Sequence, residues 1–199
     1  GLDVFVEQWG ATIRTLDIVR SLEHDLLDEG RWAKIRAELE DGVFDGLGNA
    51  APCSSFSAGR KNDGGPRPLR GEKTLDVFGF KWLSPGEKTK VREGTLIAMR
   101  CFEACRIMYR LLRPFWFETP ARQAGKPSVF KLPEAIDLLK CDNVMVRKFV
   151  QCMLDAVSTK PTDMMTFMMA NGWLPANCTH PKRWWTLPWT GESQWRSQP

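Results

Sequence analysis

The chain has 199 residues, enough for one domain with a full core. Hydrophobic residues make up 43% and charged residues 26%, an ordinary globular balance that excludes a disordered or fibrous class. The net charge of +4 permits an anionic partner without demanding one.

No apolar run approaches the roughly 20 residues of a membrane span, so no membrane partner is expected. Cysteines at 53, 101, 105, 141, 152 and 178 lack regular spacing. That argues against a disulfide framework and for a reducing, intracellular compartment, nuclear or cytoplasmic. The N-terminus, Gly1-Leu2-Asp3-Val4-Phe5, has neither an initiator Met nor a signal-peptide layout, and reads as an excerpt from a longer chain.

Residues 2–9 read as the end of a helix stopped by Gly10. Residues 11–18 alternate Ile13, Leu16 and Ile18 with polar residues, which predicts a strand ending near Asp17. Residues 22–27 are ambiguous. Trp32, Ile35 and Leu39 stand at spacings of three and four, predicting a helix over 31–40 that Gly42 ends. A strand is expected over 43–47. Residues 57–90 carry Gly59, Gly64, Gly65, Pro66, Pro68, Gly71, Pro85 and Gly86, and read as one long loop. Loops this long in compact domains are functional or disordered.

The strongest helix runs from Thr89 to Leu112. Arg100, Glu103, Arg106, Arg110 and Arg113 mark its polar face. Strands follow over 114–117, 144–153 and 163–169, with a helix over 132–139 before the last two. Alternating strands and helices argue for an α/β sheet domain, whose ligands bind outside the carboxyl ends of the strands. Asp17, Cys53 and Glu118 stand at such ends.

The sharpest local signal is Ala51-Pro52-Cys53-Ser54-Ser55-Phe56-Ser57, a cysteine between a strand and a basic loop. An isolated cysteine is usually a buried small hydrophobe. Here Pro52 precedes it, Arg60, Lys61, Arg67, Arg70 and Lys73 follow, and Glu118 stands at the next strand end. Leu16-Asp17-Ile18, His24-Asp25-Leu26-Leu27 and Phe117-Glu118-Thr119-Pro120 complete an ordered set.

In this order and spacing the motifs resemble, over roughly residues 2–180, a divergent cytosine-5 DNA methyltransferase with the Rossmann-like, AdoMet-dependent class I fold. The resemblance implies Pro52-Cys53 as the catalytic Pro-Cys motif, with Ser57, Arg60, Lys61, Arg67 and Arg70 in a loop that grips DNA. Glu118 corresponds to the acid beside ring N3, with Thr119 where the family has Asn. Asp17 and Ile18 correspond to the strand end that holds the AdoMet ribose, and Asp25 and Leu26 to the adenine-facing segment. Gln151-Cys152, Lys160-Pro161-Thr162 and Cys178-Thr179-His180 resemble segments of mobile-element-borne members.

The implied reaction adds the Cys53 thiolate to carbon 6 of a flipped cytosine, so that carbon 5 attacks the AdoMet methyl. The family's Gly-rich AdoMet loop is absent from this sequence, with Gly1 about where that loop ends. The resemblance therefore implies a sheet whose first strand precedes residue 1. The expected organisation is a catalytic domain over 1–180 and a Trp-rich tail over 181–199, in a monomer with cytosine-containing DNA as partner.

The main alternative is an inactive mobile-element remnant that keeps weak nucleic-acid binding. A cysteine hydrolase would need a histidine near Cys53, and only His24 and His180 exist. Asp17 and Asp25 also suit turn or cap positions. Glu118 also suits a solvated strand end before a proline. Cys141, Cys152, Cys178 and His180 lack the paired spacing of a metal site, so no metal is expected. The tail tryptophans 184, 185, 189 and 195 suit packing on the domain better than stacking on bases.

Overall fold

The computed structural model describes residues 12–56, 60, 66–73, 75–150, 161–168, 182–186 and 193–197. Three helices and six strands are defined: α1 (Glu29–Glu40), β1 (Leu47–Asn49), α2 (Pro85–Arg110), β2 (Phe115–Pro120), α3 (Pro133–Leu138), β3 (Met145–Val150), β4 (Pro161–Phe167), β5 (Lys182–Thr186) and β6 (Ser193–Ser197). The fold is mixed α/β, as the alternation of periods predicts. Strands β1 to β4 form one sheet in the order β1-β2-β4-β3, and β5 pairs with β6 in a separate two-stranded sheet.

β1 and β2 are parallel, with Leu47 beside Phe115 and Asn49 beside Phe117. Their connection carries α2, as a parallel pair requires a long crossover. β4 runs antiparallel to both β2 and β3, so the last strand lies inside its predecessor. Alternation along β2 buries Phe115, Phe117 and Thr119 on one face, and leaves Trp116, Glu118 and Pro120 half-buried on the other. Phe117 stacks on Phe102 of α2 at 4.4 Å between ring centroids, with Phe130 6.0 Å from Phe117. Trp32, Ile35 and Leu39 of α1 close the same core.

Asp28 caps α1 by accepting the Arg31 N–H at 2.8 Å, and Gly42, at φ +70°, turns the chain out of it. The predicted start of the long helix at Thr89 is corrected to Pro85. Ser84 and Glu87 form a reciprocal capping box, and Pro85 occupies the first turn, where its missing N–H is harmless. The prolines and glycines of 57–90 therefore include a helix start, and Asp76–Phe78 form a 3-10 turn.

The strand expected over 43–47 is displaced to Leu47–Asn49. Arg113 of the turn after α2 captures the carbonyls of Gly42 and Phe44, and the ladder opens only where Leu47 N–H meets the Pro114 carbonyl at 3.1 Å.

No strand forms over 12–18. Asp17 Oδ1 accepts the Val19 N–H at 2.9 Å, and the Asp17 carbonyl accepts from Arg20 and Ser21. A strand needs a ladder partner, and among the described residues the outer edge of β1 pairs with none. The alternating side chains are accordingly not buried: Leu16 and Ile18 are exposed. The predicted solvated arginine row is also corrected in part. Arg100 is 4% exposed and donates to the Leu26 and Asp28 carbonyls and to Glu29. Residues 2–9, Ser57, Lys61, Gln151, Cys152, Lys160, Cys178 and His180 lie outside the described residues.

Candidate functional site

The parallel pairing of β1 with β2 fixes where the two candidate catalytic side chains stand. Asn49 ends β1 beside Phe117, and Cys53 follows four residues later. The expectation that Glu118 ends its strand is corrected: β2 continues to Pro120, and Glu118 pairs with Met164 of β4, one residue beyond the stretch that pairs with β1. The carboxyl end of β1 is the side on which open α/β sheets bind ligands, and the Cys53 turn follows it. Asn49 anchors the end of β1, its side-chain amide donating to the Cys101 carbonyl and to Cys105 Sγ, both at 3.3 Å.

Cys53 opens a tight turn, its carbonyl accepting the Phe56 N–H at 2.9 Å. Pro52, exposed, fixes the approach to that turn. The turn is gripped at each following position. Arg60 Nε donates to the Ser54 carbonyl at 2.7 Å. Arg70 donates from Nε and Nη2 to Ser55 Oγ at 3.2 and 3.0 Å, and its guanidinium lies 3.7 Å from the Phe56 ring centre. Arg70 also donates to the carbonyls of Val77 and Val91 and to Thr95 Oγ1 at 2.9 Å. Gly94 permits this approach, since a Cβ there would stand 2.9 Å from Ser55 Oγ.

Arg70 is 1% exposed, and its hydrogen bonds go to hydroxyl and carbonyl oxygens. Burial pushes its guanidinium down to about 10. The expectation that Arg70 faces DNA is therefore corrected: its donors are spent inside the protein. Arg67 is exposed but already paired, bidentate with Glu87 at 2.8 and 2.5 Å and 4.7 Å from the Trp82 ring centre. Arg60 also holds the Arg67 carbonyl at 3.1 Å. The basic run builds a clamp on the cysteine turn as well as a charged surface. Sequence reasoning missed Ser55, Phe56, Gly94 and Thr95 as members of that clamp. Gly94 inside a strongly periodic helix was the available signal, because a helix interior tolerates glycine at a cost.

The cysteines divide sharply. Cys53 is half-buried and free. Cys101 and Cys105 are buried on α2, where burial pushes the Cys101 thiol up to about 12 and raises Cys105 as well. Such thiols are inert packing groups.

The acidic residues expected on the cofactor side stand elsewhere in character. Asp17 is exposed in its turn beside Ile18, and His24 Nδ1 lies 3.2 Å from the Asp17 backbone nitrogen. Asp25 Oδ1 accepts the Leu27 N–H at 2.9 Å in a second local turn, and Leu26 packs on the core. These carboxylates shape the approach to α1. An AdoMet site would need Asp17 at a strand end next to a strand beside β1, and the described residues form neither strand. Among the described residues no group of three or more His, Cys, Asp or Glu side chains is placed to hold a metal ion, and no helix is long and apolar enough to cross a membrane.

No family model, curated protein or solved structure matches this chain.

Proposed function

We propose that this chain carries the base-handling part of a cytosine-5 methyltransferase-like site, in which Cys53 adds to cytosine and Glu118 supplies the acid. The observation that supports the reading is the parallel register of β1 on β2, in which Asn49, four residues before Cys53, lies beside Phe117, the residue before Glu118. The sheet is compatible with the reading: β1 and β2 run parallel, and β4 lies antiparallel between β2 and β3. The clamp on residues 54–56 adds preorganisation, since a nucleophile must be held near its attack geometry.

In the proposed step the Cys53 thiolate forms a bond to carbon 6 of cytosine. The carbon 5–carbon 6 electron pair shifts into the ring, and the Glu118 carboxyl gives its proton to N3. Reversal returns that proton and breaks the sulfur–carbon bond. The target base must stand outside a duplex stack for either group to reach it. The proposed step ends at the adduct; Asp17 and Asp25 are engaged in local turns.

The test is a single-stranded oligodeoxynucleotide with one 5-azacytosine, which accepts a thiolate at carbon 6. The expected result is a covalent adduct that mass spectrometry maps to Cys53. It is absent in Cys53→Ser and forms about 10²-fold more slowly or worse in Glu118→Gln. An adduct on another cysteine, or none, overturns the reading. The engaged Asp17 and Asp25 favour a second reading, a remnant that binds nucleic acid without chemistry; it expects oligonucleotide binding and no adduct.

A further inference from the structure

One face of α2 carries a groove of about 390 Å³, lined by residues 78–80 and 83 and by helix positions 88, 91, 92, 95, 96 and 99. Its floor is apolar, with Leu83 and Val91 buried and Phe80 packed against them. Phe78 stands at its edge, 45% exposed. The charged lining residues are Lys88 and Arg92, and no carboxylate lines the groove. Both cations are exposed, one helical turn apart. Among the described residues neither has an ion-pair partner, whereas Arg67, close by, is committed to Glu87.

A second groove on the same helix carries both signs of charge, with Arg106 and Glu134 beside two ion pairs. It contains Arg36, Glu103, Arg100 and Glu29, and these pair with one another. The first groove instead combines open aromatic surface with uncompensated positive charge. That combination selects a ligand with flat rings and regularly spaced anions, which is the chemistry of a nucleic-acid strand.

The groove is also joined to the cysteine turn. Val91 and Thr95 line it, and both accept hydrogen bonds from Arg70, which holds Ser55 and Phe56. One stretch of α2 thus supports the Cys53 turn and presents the groove.

We propose that this groove binds a single-stranded stretch of nucleic acid, with a base stacked on Phe78 and neighbouring phosphates held by Lys88 and Arg92. The choice of nucleic acid over another polyanion rests on the cytosine-handling reading above. The groove would hold the strand that flanks a base delivered to Cys53.

The experiment uses a fluorescently labelled oligo(dT), which contains no cytosine and so reads the groove independently of Cys53 chemistry. Binding is followed by anisotropy over a range of salt concentrations. Lys88→Glu/Arg92→Glu is expected to weaken binding about tenfold or more and to lower the magnitude of the log–log salt slope by about 1.4, for two phosphate contacts on a single strand. Phe78→Ala, a change at an exposed ring, is expected to weaken binding about tenfold with little change in slope.

Unchanged affinity in both groove variants overturns the proposal. So does equal binding of a poly-glutamate peptide that is indifferent to Phe78→Ala, which would mark a generic anion surface. Groove-dependent oligo(dT) binding without any 5-azacytosine adduct supports the groove while removing Cys53 as nucleophile. A full adduct yield and rate in the groove variants, with oligo(dT) affinity unchanged, does the reverse.

Discussion

The turn at Cys53–Phe56 and the turns at Asp17 and Asp25 are similar as sequence: short, polar and next to an apolar run. They differ in what holds them. The cysteine turn is bound from outside by Arg60 and Arg70, which reach it from the following loop, and it sits against Gly94 of α2. The aspartate turns are bound mainly from within, each carboxylate reaching a backbone N–H two residues on. Long-range contacts make the first a fixed platform. Local bonds make the second a connector, which supplies α1 with its entry and leaves Val19 and Leu22 largely exposed.

The largest break in that comparison comes from truncating one apolar side chain on each side of it. Phe117 is fully buried, stacked on Phe102 and in tilted contact with Phe130, on the strand that carries Glu118. Phe117→Ala is expected to cost about 3–5 kcal/mol. Ile18→Ala, at a side chain 49% exposed, is expected to stay within about 0.5 kcal/mol. Urea unfolding of the two variants measures both. Equal losses would mean that the segment before α1 is as deeply built in as the sheet.

Removing the clamp comes next. Arg70→Met takes away a buried cation and leaves Ser55, Thr95 and two carbonyls short of donors, at a cost of about 3 kcal/mol. Arg70→Lys should recover little of it, because an ammonium cannot reproduce the planar fork across these acceptors. The informative readout is alkylation of Cys53 in the folded state. It should change in Arg70→Met, while Cys101 and Cys105 stay protected until global unfolding. If Cys53 reacts at an unaltered rate, the clamp does not position the turn.

A smaller effect sharpens where the clamp meets the helix. Ser84→Ala removes one half of the capping box and is expected to cost about 1 kcal/mol. Glu87 belongs to that box and also holds Arg67, and these partners pull its carboxyl down to about 2 from 4.5. The folded value is the lower one. The stability it contributes is therefore complete above about pH 4.5 and is lost as pH falls toward 2. Glu87→Gln should flatten the unfolding free energy against pH across that window, and high salt should reduce the same slope.

What the sequence made legible follows the range of the forces involved. The apolar period of α1 and α2 and the runs of β2, β3 and β4 are set by burial of neighbours a few residues apart, and the structure keeps each of them within a few residues. Cys53 was legible as a residue that follows a strand, whereas Glu118, expected at the end of one, stands inside β2 and pairs with Met164. Arg70, Arg100 and Arg113 were not, since a loop or helix arginine in sequence carries no mark of the distant carbonyls it will bind. The strand expected over 11–18 failed for a related reason. Alternation prepares a strand, but only a neighbouring ladder makes one.

The smallest expected effect bears on the largest question about the aspartates. Asp17→Ala and Asp25→Ala each remove one side-chain bond to an exposed or half-buried N–H, and each should shift stability by about 0.5 kcal/mol or less. If these turns only connect, neither change alters AdoMet binding measured by calorimetry, because each carboxylate serves only the backbone N–H two residues on. A measurable AdoMet affinity that falls in Asp17→Ala but not in Ile18→Ala would make the Asp17 carboxylate a ligand-facing group. The cysteine turn would then share its sheet edge with a cofactor, and methyl transfer would return to the site.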